Sequence, residues 1–153
     1  MKGICRIAGK ISAAVTVIIL LVICISYIVG IRADVVVSGS MEPEIMTGSI
    51  CLTDCRDKQI EKGDIIAYRL DDITVTHRVI GSTNDGYITK GDNNDTPDIA
   101  PVSEKQIIGK NIGSIKNAGY IVFFLRSKTG TALLLGTMIV FSMMSLLSEK
   151  KHI

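Results

Sequence analysis

Two uncharged stretches divide this chain of 153 residues into segments of very different character. Residues 11–31 contain no Asp, Glu, Lys or Arg, and residues 129–148 form a second stretch of the same kind. Nearly all of the charge lies between them, in residues 32–128. A helix rises about 1.5 Å per residue, so about 20 residues can cross the hydrocarbon core of a bilayer. The pattern argues against a uniformly soluble globule and predicts two transmembrane helices.

The first stretch favours a retained anchor over a cleaved secretory signal, because the apolar core of such a signal usually runs about 7–15 residues and ends at small residues. For the second stretch, a helix lying on the membrane surface is the alternative. Basic residues flank the outer end of each stretch and mark cytoplasmic ends. We therefore expect residues 1–10 and 149–153 to be cytoplasmic and residues 32–128 to form one extracytoplasmic domain at the cell membrane. The flanking basic residues are Lys2, Arg6, Lys10, Lys150 and Lys151.

The charge and cysteine content of the middle segment exclude several classes of function. It holds 12 basic and 14 acidic residues without a basic stripe, so no nucleic-acid partner is expected. Cys51 and Cys55 are its two cysteines, and a separation of four residues predicts neither a disulfide framework nor a metal site when His77 is the one histidine there. We expect no metal and no cofactor.

Short β-rich runs fill the middle segment and predict a mainly β domain. Residues 73–80 alternate with period two, which places His77 on one face with Ile73, Val75 and Val79. Turn-forming residues follow, and a return strand of a hairpin is expected next. No long amphipathic helix is expected between the two uncharged stretches. The expected strands cover residues 34–37, 49–52, 63–68, 73–80 and 87–89, with one or two more over 102–115.

Three stretches of the middle segment carry groups suited to hydrolysis: residues 38–43, 76–78 and 90–98. They supply a serine hydroxyl, an imidazole and carboxylates. A serine hydroxyl needs an adjacent base, imidazole can accept and return a proton near neutral pH, and a carboxylate can orient the imidazole. A histidine-based hydrolase in this domain would have to use His77. The last of these stretches, residues 90–98, is an acidic loop. It lacks the Gly and Glu that a calcium-binding loop of the EF-hand type requires.

These stretches, in this order behind an N-terminal apolar segment, resemble type I signal peptidases. The closer similarity is to the endoplasmic-reticulum-type branch, which also occurs in archaea and in some Gram-positive bacteria. The usual bacterial branch has lysine where this chain has His77, so the resemblance implies a serine–histidine enzyme. The similar segments are Ser38–Pro43, Gly63–Arg69, Thr76–Gly81, Lys90–Asp98 and Ile107–Lys110, together with the C-terminal apolar stretch.

The resemblance also implies roles for individual residues. Ser40 would be the nucleophile and His77 the general base. Asp98 would orient the imidazole, with Asp92 either shaping the loop or serving as the alternative acid. Ser38 would help to bind the oxyanion. The implied fold is the signal-peptidase-like antiparallel β-fold between N- and C-terminal transmembrane helices.

The expected function is that of a membrane-bound serine endopeptidase that removes signal peptides from secreted preproteins. Its partners would be preproteins and the lipid bilayer, and the need for accessory membrane subunits stays open. Two alternatives remain at this stage. One is a membrane-anchored serine protease with a dedicated substrate that is not a preprotein. The other is a non-enzymatic, membrane-tethered β-domain in surface assembly.

Overall fold

The computed structural model describes the backbone of residues 2–149. The chain divides into two units, of which one is Tyr27–Ile121 and the other consists of the segments on either side. Met1 and most of the tail expected over residues 149–153 lie outside the described residues. The β strands, and with them every predicted site residue, belong to the unit Tyr27–Ile121.

Three α-helices and six β-strands make up the described chain, in an order that places the strands between two long helices. The helices are α1 (Lys2–Val29), α2 (Ala118–Arg126) and α3 (Lys128–Glu149). The strands are β1 (Ile31–Val35), β2 (Ile50–Asp54), β3 (Ile65–Leu70), β4 (Ile73–Thr83), β5 (Gly86–Lys90) and β6 (Ile107–Ile115), with a short 3₁₀ turn at Glu104–Gln106.

The six strands form one antiparallel sheet in the order β1-β2-β6-β3-β4-β5. The expectation of a mainly β, antiparallel domain is therefore confirmed. Residues paired across neighbouring strands share a face, so Ile66 of β3 and Thr89 of β5 lie on the same face as the β4 residues His77 and Val79. The order of strands thus brings β3, β4 and β5 side by side at this face.

The sheet curls on itself. The Arg32 side chain of β1 donates a hydrogen bond to Thr74 Oγ1 of β4 at 3.3 Å, although three strands separate β1 from β4 in the sheet order. Two apolar clusters result. One contains Ile66, Tyr68, Val79, Val102 and Ile107. The other contains Met41, Ile45 and Cys51, with Val36 and Ile65 packed against them.

The boundaries of β1 and α1 differ from the sequence expectation. The apolar stretch continues to Ile31, but α1 ends at Val29 and Gly30 takes a positive φ of 79°. Glycine adopts this conformation without a steric penalty and commonly terminates helices. Strand β1 therefore begins at Ile31 and ends at Val35, whereas the expected strand covered residues 34–37.

The C-terminal part of the β unit also departs from the expectation. Residues 102–115 supply one strand, β6, and Val102 forms an isolated bridge with Tyr87. The short helix α2 follows, which the period-two pattern of the middle segment did not predict. Ser127 caps the next helix, since its hydroxyl accepts a hydrogen bond from Gly130 N at 3.0 Å.

The terminal helices bear on the membrane expectation. Helices α1 and α3 overlap the two uncharged stretches in sequence. Within the described residues, no helix combines the length and the apolar character needed to cross a bilayer. The two transmembrane helices stay predictions of the sequence.

Candidate active site

Ser40 lies in the loop that joins β1 to β2. Backbone hydrogen bonds close the base of this loop, from Val36 N to Ser49 O and from Gly48 N to Val36 O, both at 2.9 Å. Met41 is buried beside Ile45 in an apolar cluster and anchors the turn directly after Ser40. The serine side chain is therefore fixed at the surface by the burial of its neighbour.

His77 projects from the middle of β4 and is buried, with 8% of its surface exposed. Its Nε2 atom lies 3.1 Å from Ser40 Oγ, and its Nδ1 atom lies 2.7 Å from Asp98 Oδ2. A carboxylate accepts hydrogen bonds, so a neutral imidazole here carries its proton on Nδ1 and turns the Nε2 lone pair towards the serine hydroxyl. This is the arrangement that a general base needs.

Asp98 receives hydrogen bonds from three adjacent strands. Its Oδ2 atom accepts from Tyr68 Oη of β3 at 3.0 Å and from Thr89 Oγ1 of β5 at 2.6 Å, in addition to His77 of β4. Its own backbone N–H donates to Thr89 O at 2.8 Å. The carboxylate is thus held at a fixed position on the sheet.

The surroundings of Asp98 favour its charged form. Burial acts to raise the pKa of the carboxyl, but the hydrogen bonds from His77, Thr89 and Tyr68 and the charge of His77 outweigh it, and the pKa lies below its usual value. Burial, aided by the charge of Asp98, raises the pKa of Tyr68 to about 12. Tyr68 is therefore a neutral donor at any pH near neutrality.

Asp92 has a different partner. Its two carboxylate oxygens accept from Arg78 at 2.8 and 2.6 Å, and Arg78 also donates to Gly63 O at 2.9 Å. The structure therefore brings Asp98, and not Asp92, to the imidazole. The pair of Asp92 and Arg78 ties the acidic loop to β4.

The acidic loop also holds the Ser40 turn directly. Asn93 N donates to Ser40 O at 2.8 Å, and Asn93 Nδ2 donates to Gly39 O at 3.2 Å. A Cβ atom at Gly91 would lie only 2.6 Å from Ser40 O, so this position has no room for a side chain. Hydrogen bonds and close packing therefore hold the turn at Ser40 against the acidic loop.

Ser38 is exposed, and its Oγ atom lies 3.4 Å from Ser40 Oγ. All five residues predicted for the site therefore lie in one region. Hydrogen bonds join Ser40, His77 and Asp98 in a continuous chain, with Ser38 bonded to Ser40, whereas Asp92 pairs with Arg78. Tyr68, Thr89 and Asn93 were missed at the sequence level. No sequence signal identified the first two, because Tyr68 and Thr89 share the face of His77 only through the pairing of β3 and β5 with β4.

The cysteines and the acidic residues do not form a metal site in the described part of the chain, where no group of three or more His, Cys, Asp or Glu side chains could hold an ion. Cys51 and Cys55 are free thiols. Burial raises the pKa of Cys51, which keeps that thiol protonated and unreactive.

Replacing Thr89 by valine is a test of the hydrogen bonds on Asp98. Valine keeps the shape of the threonine side chain but removes the hydroxyl that donates to Asp98. Loss of a hydrogen bond to a charged group should lower kcat by about 10-fold. The pKa of Asp98 should rise, because that donor stabilises the charged form. Thr89→Ser keeps the hydroxyl and should retain most of the activity. The measurement is kcat and KM for the wild type, Thr89→Val and Thr89→Ser. An equal loss of kcat in both variants would contradict the role of the hydroxyl.

Comparison with known proteins places this geometry in a family. Residues 33–112 match the family described as Peptidase S24-like, and this range includes all five predicted site residues. Signal peptidase I W of Bacillus subtilis (strain 168) is 45% identical over 87 residues, which are 51% of this chain and 45% of that protein. The chain thus spans less than half of the length of this relative.

Fungal relatives align over more of their length. The signal peptidase complex catalytic subunit SEC11 of Candida albicans (strain WO-1) is 34% identical over 126 residues, which are 71% of this chain and 76% of that protein. The SEC11 subunit of Yarrowia lipolytica (strain CLIB 122 / E 150) is 34% identical over 105 residues, with 60% and 61% covered. The family match over more than half of the chain and the extent of the Candida alignment show that this chain belongs to the Peptidase S24-like family and, within it, to the signal peptidases, which are serine endopeptidases.

Proposed function

We propose that this chain cleaves signal peptides from secreted preproteins, with Ser40 as the nucleophile, His77 as the general base and Asp98 as the orienting acid. The observation that carries the proposal is the continuous chain of hydrogen bonds from Ser40 Oγ through the His77 ring to Asp98 Oδ2. A non-enzymatic β-domain has no need for a carboxylate, an imidazole and a hydroxyl aligned in this way.

In the proposed reaction, Ser40 Oγ attacks the carbonyl carbon of the scissile bond while His77 Nε2 takes the hydroxyl proton. The tetrahedral intermediate collapses when His77 returns this proton to the leaving amine, which departs as the new N-terminus of the mature protein. Water then attacks the acyl-enzyme with His77 again as base, and the signal peptide leaves as a carboxylate. Asp98 stabilises the imidazolium in each step without itself taking up the proton.

The oxyanion would be bound by the backbone N–H of Ser40 and by the hydroxyl of Ser38. Donors placed where negative charge develops lower the barrier because they need no reorganisation during the reaction. Ser38 Oγ lies near Ser40 Oγ and is exposed to an incoming carbonyl group. It is the side chain next to the nucleophile that can serve this purpose, and its role is part of the proposal.

The substrate would bind as an extended peptide. Strand β1 is a terminal strand of the sheet and leads into the Ser40 loop, so a peptide can pair with its free edge through backbone hydrogen bonds. The signal-peptide side of the substrate would lie there. Resemblance to the family implies small residues at positions −3 and −1 of that side.

Preproteins present their signal helices in a membrane, and the uncharged stretches at residues 11–31 and 129–148 supply the proposed anchors. With both termini cytoplasmic, residues 32–128 would act on the extracytoplasmic face. The SEC11 relatives are named as catalytic subunits of a signal peptidase complex. We propose that the bilayer is a partner of this chain.

The substrate class is tested by incubating the full chain, in detergent or liposomes, with a purified preprotein and determining the cleavage position by mass spectrometry. We expect a single cut after the signal peptide. A preprotein with a bulky residue at −1 should resist cleavage by at least about 100-fold, because the resemblance implies a shallow pocket there that accepts only a small side chain. Cleavage that ignores the −1 residue, or that occurs elsewhere, would favour a protease with a different substrate.

A further inference from the structure

A cavity of about 850 Å³ adjoins the catalytic pair. His77 and Val75 of β4 form part of its wall, Tyr68 of the neighbouring strand β3 forms another part, and the segment 93–102, which includes Asp98, lines the rest. None of residues 38–40 lines it. Its volume is within the range of ordinary ligand sites, about 300–1,000 Å³. The cavity therefore borders the imidazole directly and approaches the serine turn through Asn93, which donates a hydrogen bond to Gly39 O.

The chemical character of the cavity is apolar with acidic groups. Leu70 and Ile99 line it and are exposed, Leu70 by 45% and Ile99 completely. Exposed apolar side chains around a concave site usually mark a surface that binds a ligand. The charged side chains in the lining are Asp95 and Asp98, both acidic. Such a site favours apolar side chains and disfavours acidic ones.

The position of the cavity relative to the reacting atoms identifies the part of the substrate that would enter it. The leaving amine must face His77 Nε2, because His77 gives it a proton. The oxyanion must face Ser40 N–H and Ser38, the two donors proposed for it. The residues that follow the scissile bond therefore leave the reaction centre past His77, whereas the signal-peptide side lies along β1.

We propose that this cavity binds the first residues of the mature protein, at positions +1 to +3, and selects apolar over acidic side chains there. This inference rests on the proposed function, since it assigns a second binding site to the same reaction. It makes Leu70 and Ile99 determinants of specificity on the leaving-group side of Ser40.

The test uses two series of preproteins with the full chain in detergent. In one series, positions +1 to +3 are Leu or Asp, and in the other series the same exchange is made at position −2. Each series is cleaved by the wild type, by Ile99→Lys and by Ile112→Lys. Ile112 is an exposed residue of β6 outside the cavity, so Ile112→Lys is a matched control for the added charge.

We expect the wild type and Ile112→Lys to prefer Leu over Asp at +1 to +3 by about 10-fold in kcat/KM, a ratio typical of apolar pockets. Ile99→Lys should reduce this preference to about 2-fold or less, because the lysine removes apolar surface from the cavity wall and its ammonium group attracts a substrate carboxylate. All three proteins should show the same ratio of kcat/KM for Leu and Asp at position −2. A second variant, Leu70→Lys, should reproduce the effect of Ile99→Lys, because Leu70 also lines the cavity.

Three outcomes would overturn the assignment. An unchanged preference at +1 to +3 in both Ile99→Lys and Leu70→Lys would show that mature residues do not enter the cavity. A change confined to the −2 series would assign the cavity to the signal-peptide side. In both cases cleavage would still depend on Ser40. Cleavage by Ser40→Ala at the wild-type rate would instead overturn the proposed function, and the cavity assignment with it.

Discussion

Replacing Ser40 by alanine is expected to lower kcat for preprotein cleavage by about 10⁵-fold or more, as loss of the nucleophile does in other serine proteases. Ser40 Oγ is the atom that would form the acyl-enzyme, and the alanine side chain can neither attack nor be activated by His77. The fold should persist, because Met41 and not Ser40 anchors the turn. Thermal unfolding of the variant should therefore resemble that of the wild type.

Ser38→Ala is the matched control for this variant, because it removes a hydroxyl two residues away in the same loop. If Ser38 contributes one of two oxyanion donors, kcat should fall by about 10²-fold to 10³-fold. The acyl-enzyme should still form in Ser38→Ala and should be absent in Ser40→Ala, which mass spectrometry of the trapped protein can distinguish. Comparable cleavage by Ser40→Ala and wild type would remove Ser40 from the mechanism.

The strand pattern of the sequence predicted much of the fold near the site, because alternation in residues 73–80 depends only on which side chains are apolar. It placed His77 on the face that also carries Val75 and Val79, and the structure agrees. The curl of the sheet could not be predicted in this way. It depends on the pairing of β6 between β2 and β3, which are far from β6 in sequence, and no local pattern encodes that pairing.

The hydrogen-bond partners of Asp92 and Asp98 could not be predicted from the residue pattern either. Asp92 and Asp98 lie six residues apart in one polar loop, and both could reach a neighbouring histidine. What separates them is the path of the loop, which is fixed by Asn93 on the serine turn and by Arg78 on Asp92. The hydroxyls of Tyr68 and Thr89 converge with His77 only because β3, β4 and β5 are neighbours. Family resemblance supplied the choice of Asp98, and the hydrogen bonds supply its physical reason.

Replacing Asp98 by asparagine is expected to lower kcat by about 10³-fold to 10⁴-fold with little change in KM. An amide cannot stabilise the imidazolium as an anion does. If its NH₂ group faces Nδ1, it also favours the wrong tautomer, with the proton on Nε2 and no lone pair for Ser40. Both effects act on the proton transfer from Ser40 to His77, so they should lower the rate of acylation, measured in single-turnover experiments with the enzyme in excess.

The pH dependence of stability gives a second test of Asp98. The folded protein holds the pKa of this carboxyl below its unfolded value of about 3.9, so its ionisation stabilises the fold fully above that pH. The contribution is lost as the pH falls through the folded pKa. Wild-type stability should therefore fall more steeply than that of Asp98→Asn below about pH 4. Thermal unfolding between pH 7 and pH 3 measures the difference, and parallel curves would contradict it.

Asp92→Asn is the matched comparison for Asp98→Asn, because each variant removes one negative charge from the same loop. The comparison distinguishes the roles of the two carboxylates. Asp92 is paired with Arg78 and not with His77, so its loss should act through the loop that supports the Ser40 turn. We expect a melting temperature lowered by about 2–4 °C, as follows from a partly exposed ion pair worth about 1 kcal/mol in a chain of this size. Activity should fall less than in Asp98→Asn. A larger loss of kcat in Asp92→Asn than in Asp98→Asn, at unchanged thermal stability, would contradict the assignment of Asp98 as the orienting acid.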